Sequence, residues 1–300
     1  MNQSSKYNYP HKWRSFIGIT LLSFGCYLDY TIVNVALPTI QEQLHANLST
    51  LQWVMNIYFL ALCVLATIMG RCGDLYGRRR MFYTGVFIFA IASVLAGCAY
   101  NIHWLIIGRL LQGIGAAIVF PLGPSLLPQS FPEKDRGKAI AWFGSVGGIA
   151  LALGPVLGGL IVSYFGWRWI FFINIPLIFL GFIFCFSVIQ ESKSAEKTSL
   201  DWVGMLLLGF GIGGLVLGLI HGQSFGWQNI QTVGYISLGI FSSIILVLFE
   251  NKKDNPLIDF KDFNNNLFSS GAALVFLAGA LSAVALFFDP LYLQDRKSVV

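Results

Sequence analysis

The sequence predicts an all-α fold, a polytopic membrane helical bundle. Three observations lead there. Of the 300 residues, 56% are apolar and only 11% are charged, whereas a soluble domain carries about a quarter charged residues. The apolar residues fall in continuous runs rather than in alternation, which excludes a closed β-barrel. Charges are confined to the connectors, and the basic ones crowd into every second connector. In lipid the backbone must satisfy itself, so long apolar runs of this kind become helices.

A span needs about 20 mostly apolar residues. The stretches that qualify are 15–37, 52–70, 81–100, 104–127, 138–162, 169–190, 203–223, 231–250 and 267–293. The first follows a basic N-terminus and contains Asp29. It lacks a small-residue cleavage site behind a short apolar core, so it reads as a retained span and not a signal peptide. With the N-terminus inside, Lys6, Lys12 and Arg14, Arg71 and Arg78–Arg80, Lys134–Lys138, Lys193 and Lys197, and Lys252, Lys253 and Lys261 all face the cytosol. Arg168 alone falls outside until Arg296 and Lys297. Basic connectors stay cytoplasmic, so this alternation predicts a multi-pass membrane protein with its N-terminus in the cytoplasm. The net charge of +5 is explained by that orientation, and nucleic acid is not expected as a partner. The lipid bilayer is.

The polar break 191–202 reads as a cytoplasmic linker. It separates a six-span half at 1–190 from two extra spans at 203–250, and residues 251–300 hold a loop and one further span. The connector Gly70-Arg71-Cys72-Gly73-Asp74-Leu75-Tyr76-Gly77-Arg78-Arg79-Arg80 reads as a charged turn at the cytoplasmic face.

Several residues carry candidate chemistry. Asp29 lies in mid-span, where a carboxylate costs about 2.5–3.5 kcal/mol. It reads either as a proton or cation site or as a structural hydrogen-bond acceptor. Arg109 and Gln112 are three apart and share a helix face, which Gly113 and Ala116 continue. Arg109 must find a carboxylate, carbonyls or water, unless it snorkels to the nearby outer face. Asp74 among arginines can form a clasp between helix ends, cap a helix, or sit in a solvated turn. In the fifth span Gly144 and Gly148, and Gly154 and Gly158, are pairs that permit tight helix contact, and Pro155 removes a backbone donor and predicts a kink.

Other signals exclude functions. The five cysteines form no Cys-x-x-Cys pair and read as packing residues, and the four histidines have no metal-site spacing. Gly209-Phe210-Gly211-Ile212-Gly213-Gly214 matches a dinucleotide fingerprint, yet it lies in an apolar run with no preceding strand. No nucleophile stands beside a base, so an enzyme is not expected.

Together these motifs resemble the major facilitator superfamily. The 70–80 stretch is similar to its signature between helices two and three, and Arg109, Gln112 and Gly113 to its fourth-helix pattern. Gly154-Pro155-Val156-Leu157-Gly158-Gly159 resembles the fifth-helix pattern of antiporters. Leu28 to Pro38, Trp167 to Pro176 and Asp201-Trp202-Val203-Gly204 resemble the fourteen-span drug:proton antiporters. The resemblance implies proton-coupled export of amphipathic, often cationic, drugs or toxic compounds across a bacterial plasma (inner) membrane. It needs no cofactor, because the proton gradient supplies the energy. Asp29, Arg109 and Gln112 would serve substrate or proton binding. Gly70, Asp74, Gly77 and Arg78 would form the cytoplasmic gate, and Gly154, Pro155, Gly158 and Gly159 the bend of the fifth helix. The many aromatic residues suit an apolar cavity and lipid contact equally. Only one span of a second half is present, so the expectation is a truncated form that does not transport alone. The alternative is a half-carrier that pairs with a partner chain holding the remaining helices.

Overall fold

In the computed structural model, the described residues are 11–193, 201–253, 256 and 258–297, with backbone only after 281. The order is α1 (Lys12–Gln43), α2 (Leu48–Tyr76), α3 (Arg78–Gly97), α4 (Ile102–Ser130), α5 (Glu133–Phe165), α6 (Trp169–Phe172), α7 (Asn174–Cys185), α8 (Trp202–Phe225), α9 (Ile230–Glu250), a 3-10 turn (Phe260–Asn264) and α10 (Asn266–Lys297). No strand occurs among the described residues. Seven of these helices, α1–α5, α8 and α9, are long and apolar enough to cross a membrane. Most of the expected linker, 194–200, and the expected cytoplasmic residues Lys6 and Lys197 lie outside the described residues.

The chain divides into two units, Met1–Ile244 and Ile245–Val300. In the first, α3 packs on α4, α4 on α2, and α1 on both α5 and α7, while α8 lies along α2. Two apolar clusters fill the bundle. One holds Phe16, Leu22, Cys26, Phe82, Phe89, Leu122, Phe131 and Ile178. The other holds Leu28, Ile32, Val54, Ala96, Leu105, Trp167 and Phe171. In the second unit Asp259 caps the 3-10 turn by accepting from Lys261 N at 3.0 Å, and Phe263 meets Phe268 edge-on at 5.1 Å.

Three elements differ from the sequence expectation. The 70–80 stretch is not an open turn. α2 runs to Tyr76, and Gly77 alone, at φ +111°, separates it from α3. That backbone conformation favours glycine, which lets two helices abut across one residue. The expected 169–190 span is interrupted at Ile173 and leaves helix after Cys185. Pro176 cannot donate to Phe172, so it falls in the first turn of α7, where a missing N–H does no harm. Beyond α7, α3 supplies the donors: Tyr83 Oη reaches Cys185 O at 2.9 Å and Arg79 Nη1 reaches Ile189 O at 3.0 Å. Third, α1 runs through Pro38 to Gln43, beyond the expected end at residue 37, while α5 stays one helix through Pro155.

Small residues set the closest approaches. A Cβ on Gly113 would lie 2.7 Å from Tyr58 O, which brings α4 against α2. Gly154 and Gly158 bring α5 against α1, whereas Gly144, Gly148 and Gly159 have open space around them, so the expected Gly144–Gly148 contact is not made among the described residues. Cys26 and Cys185 are buried packing residues, but Cys63 and Cys98 are exposed.

Candidate functional site

On four helices five polar side chains interrupt the apolar packing, and these groups meet. Asp29 of α1 is fully buried, as are Ser93 of α3, Arg109 and Gln112 of α4, and Asn174 of α7 is almost so. They sit where the two apolar clusters adjoin: along α1 Asp29 follows Cys26 of one and Leu28 of the other, and along α3 Ser93 separates Phe89 from Ala96.

Arg109 Nη1 forms a short charged hydrogen bond to Asp29 Oδ2. Nη1 also donates to Gln112 Oε1 at 3.0 Å, and Nε donates to Val54 O of α2 at 2.9 Å. The guanidinium lies 4.2 Å from the Tyr58 ring centroid, which adds a cation–π contact. Gln112 Nε2 donates to Asp29 Oδ1 at 3.1 Å and to Ser93 Oγ at 2.9 Å. Asn174 Nδ2 reaches the same two oxygens at 3.3 Å each. Ser93 in turn donates to Phe89 O at 2.8 Å. Arg109 is therefore an internal residue, and the snorkelling alternative does not describe it.

The arrangement has a physical logic. A buried ion pair survives only if its remaining lone pairs and protons are bonded. Asp29 has three donors, two of them neutral amides. Arg109 has a carboxylate, an amide oxygen and a backbone carbonyl. Two atoms are left over among the described residues: Arg109 Nη2 and Asn174 Oδ1 have no hydrogen-bond partner.

The 70–80 stretch forms a second constellation. Arg78 bonds Asp74 Oδ1 through Nε at 2.8 Å and Nη2 at 2.7 Å, one helical turn apart across Gly77. Gly70 packs a step away from Pro121, at an ordinary 3.5 Å for an added Cβ. Asp74 caps nothing. The free N–H groups of α3 are capped by Glu191, whose Oε1 and Oε2 accept from Arg79 N at 3.0 Å and Arg80 N at 3.2 Å. Ser192 O accepts from Arg78 N at 3.0 Å, and Ser192 Oγ accepts from Gln129 Nε2 of α4. A carboxylate at a helix N-terminus is favourable both as a cap and against the dipole. Gly77 makes room for it, since a Cβ there would lie 2.7 Å from Glu191 Cδ.

The third constellation joins α1 to α5. Pro155 has no N–H, so the carbonyl of Leu151, four residues earlier, loses its helical donor. Thr31 Oγ1 donates to Leu151 O at 2.9 Å. A Cβ on Gly154 would lie 1.8 Å from that hydroxyl, so Gly154 and Pro155 work as a pair. Asp29, Arg109 and Gln112 are thus brought together, and the gate and bend residues occupy separate places.

Sequence reasoning did not single out Ser93, Asn174, Tyr58, Thr31 or Glu191. Asn174 carried a signal, as an amide inside an apolar run. Among the described residues no three His, Cys, Asp or Glu side chains are placed to hold a metal ion.

A family model described as the Major Facilitator Superfamily matches residues 19–201. The chain belongs to that superfamily. Among its relatives, Multidrug resistance protein 3 of Bacillus subtilis is 33% identical over 279 residues, covering 93% of this chain and 54% of the relative. The Tetracenomycin C resistance and export protein of Streptomyces glaucescens is 32% identical, covering 94% and 53%. The multidrug export protein EmrB of Haemophilus influenzae is 34% identical, covering 93% and 55%. This superfamily member therefore spans about half the length of the curated relatives it matches. A crystal structure of the peptide transporter POT with sulfate shares the fold, at TM-score 0.58 and 16% identity over 81% of this chain and 53% of the other. Its long apolar helices make the chain a multi-pass membrane protein, and membership of this superfamily points to a transporter and not an enzyme.

Proposed function

We propose that this chain is the proton-coupling half of an exporter that exchanges protons for amphipathic, often cationic, compounds across the bacterial plasma membrane. The observation that carries the reading is the Asp29–Arg109 pair, with both side chains fully buried in apolar helices. A lone charge left by breaking such a pair costs about 3–5 kcal/mol. Asp29 can release Arg109 cheaply only if something else neutralises it. A proton and a cationic substrate are two such partners, and they exclude each other on one carboxylate. That exclusion is the logic of antiport, with the proton gradient as the energy source and no cofactor. The unused Arg109 Nη2 and Asn174 Oδ1 support it, because an unsaturated network can rearrange.

The remaining roles follow. The ends carrying Lys12, Arg71, Arg78–Arg80 and Lys134–Lys138 face the cytosol with the N-terminus. Gly70, Asp74, Gly77 and Arg78 form the cytoplasmic gate. Gly154, Pro155, Gly158 and Gly159 form the fifth-helix bend against Thr31. The helices to Cys185 form one half, α8 and α9 are extra spans, and α10 opens a second half. Only 22% of the apolar window of each of α2, α5 and α9 is fully buried, which supports pairing with further helices on the same or another chain. Alternating access rocks one half against the other. The 300-residue chain alone is expected not to lower ethidium accumulation in cells, whereas the chain joined to a second half does. Efflux from cells expressing only this chain would overturn the proposed division of labour.

A further inference from the structure

We infer that a second ligand site lies between α2, α8 and α9, and that it takes an uncharged aromatic ring bearing an N–H or O–H donor. It shares no residue with the Asp29 network and does not rest on proton coupling. A partly open cavity of about 110 Å³ is lined by Gln52, Trp53 and Asn56 of α2, His221 and Ser224 of α8, and Tyr235 of α9. It is smaller than the cavity on the order of 150 Å³ that holds benzene, but it is open on one side, so a ring can seat one edge in it and leave the other outside. Aromatic walls with a few placed polar groups are the usual make-up of small-molecule sites.

His221 defines the polar requirement. Thr232 Oγ1 donates its single proton to Gly226 O at 3.0 Å. With the proton so placed, Oγ1 accepts from His221 Nδ1, also 3.0 Å away. In that arrangement Nδ1 carries a proton, and the Nδ1–H tautomer offers Nε2 as an acceptor. No hydrogen bond reaches Nε2 among the described residues. The ring plane is fixed by stacking on Phe225 at 4.4 Å and by the edge of Tyr235 at 5.6 Å. Among the described residues no Lys, Arg, Asp or Glu lines the cavity. An ion entering it would lose hydration with no counter-charge in return. The chemistry left is an aromatic ring that donates to Nε2 and touches Trp53.

Indole and benzofuran test this directly, because they match in shape and differ in one N–H. Binding to the purified 300-residue chain in nanodiscs is read by saturation-transfer NMR, with empty nanodiscs correcting for lipid partition. Indole is expected to bind about tenfold more tightly than benzofuran. His221→Asn keeps a donor toward Thr232 and removes the Nε2 acceptor, so it should bring the two compounds within about twofold. Equal binding of both to the wild-type chain, binding of neither above empty nanodiscs, or a preference that survives in a folded His221→Asn variant would each overturn the site. The wild-type comparison stands even if the variant does not fold.

Discussion

The hydroxyl of Thr31 donates to the carbonyl oxygen of Leu151 at 2.9 Å, the acceptor that Pro155 leaves without its helical partner. A proline inside a helix strands the carbonyl four residues before it. Here α1 supplies the missing donor, which explains how α5 continues as one helix from Glu133 to Phe165. Thr31→Val keeps the shape and removes the donor, and should destabilise the folded chain by about 1–3 kcal/mol. In a Pro155→Ala background, where Leu151 O regains a backbone donor, the same change should cost clearly less. A double-mutant cycle of unfolding in mild detergent measures the difference. Equal costs in both backgrounds would separate Thr31 from the proline.

The glycines of α5 are not equivalent. A Cβ on Gly154 would meet Thr31 Oγ1 at 1.8 Å, but at Gly159 nothing lies within 4 Å. Gly154→Ala should lower thermal stability and weaken the α1–α5 contact by about 1–3 kcal/mol. Gly159→Ala should be neutral within about 0.5 kcal/mol, or slightly stabilising through helix propensity. Thermal melts of the two variants side by side check the ranking.

Glu191 holds the start of α3 from a distant segment. Its two oxygens accept from Arg79 N and Arg80 N, while Asp74 is engaged by Arg78. Glu191→Ala should cost about 1 kcal/mol, as loss of a cap does. It should also speed amide hydrogen exchange at Arg79 and Arg80, while Asp74→Ala should leave those two amides nearly as protected as before. Peptide-level exchange by mass spectrometry distinguishes them.

Much of this was legible before any coordinates. Asp29, Arg109 and Gln112 announced themselves because hydrocarbon makes a polar side chain expensive, so each had to have a partner. Who the partners are was not legible. Ser93 is an ordinary residue within an apolar helix, and only the packing of α3 on α4 sets it 2.9 Å from Gln112. Thr31 lies within a recognised motif, yet its task appears only when α1 lies against Pro155. Glu191 read as part of a polar linker, and capping from 112 residues away leaves no local pattern. The 70–80 stretch misled for a different reason. Glycine and charge read as a turn, but α2 and α3 need only Gly77 between them.

Proton exchange at the Asp29–Arg109 pair is most directly tested by drug-driven proton movement in liposomes. The protein is a complete carrier containing this chain, compared with its Asp29→Asn variant at matched, verified insertion. Ethidium added on the substrate side should drive proton counterflow in the wild-type carrier. In the variant that counterflow should fall about tenfold or more, consistent with loss of a positioned proton-transfer group. Undiminished ethidium-driven proton flux in Asp29→Asn would contradict the account.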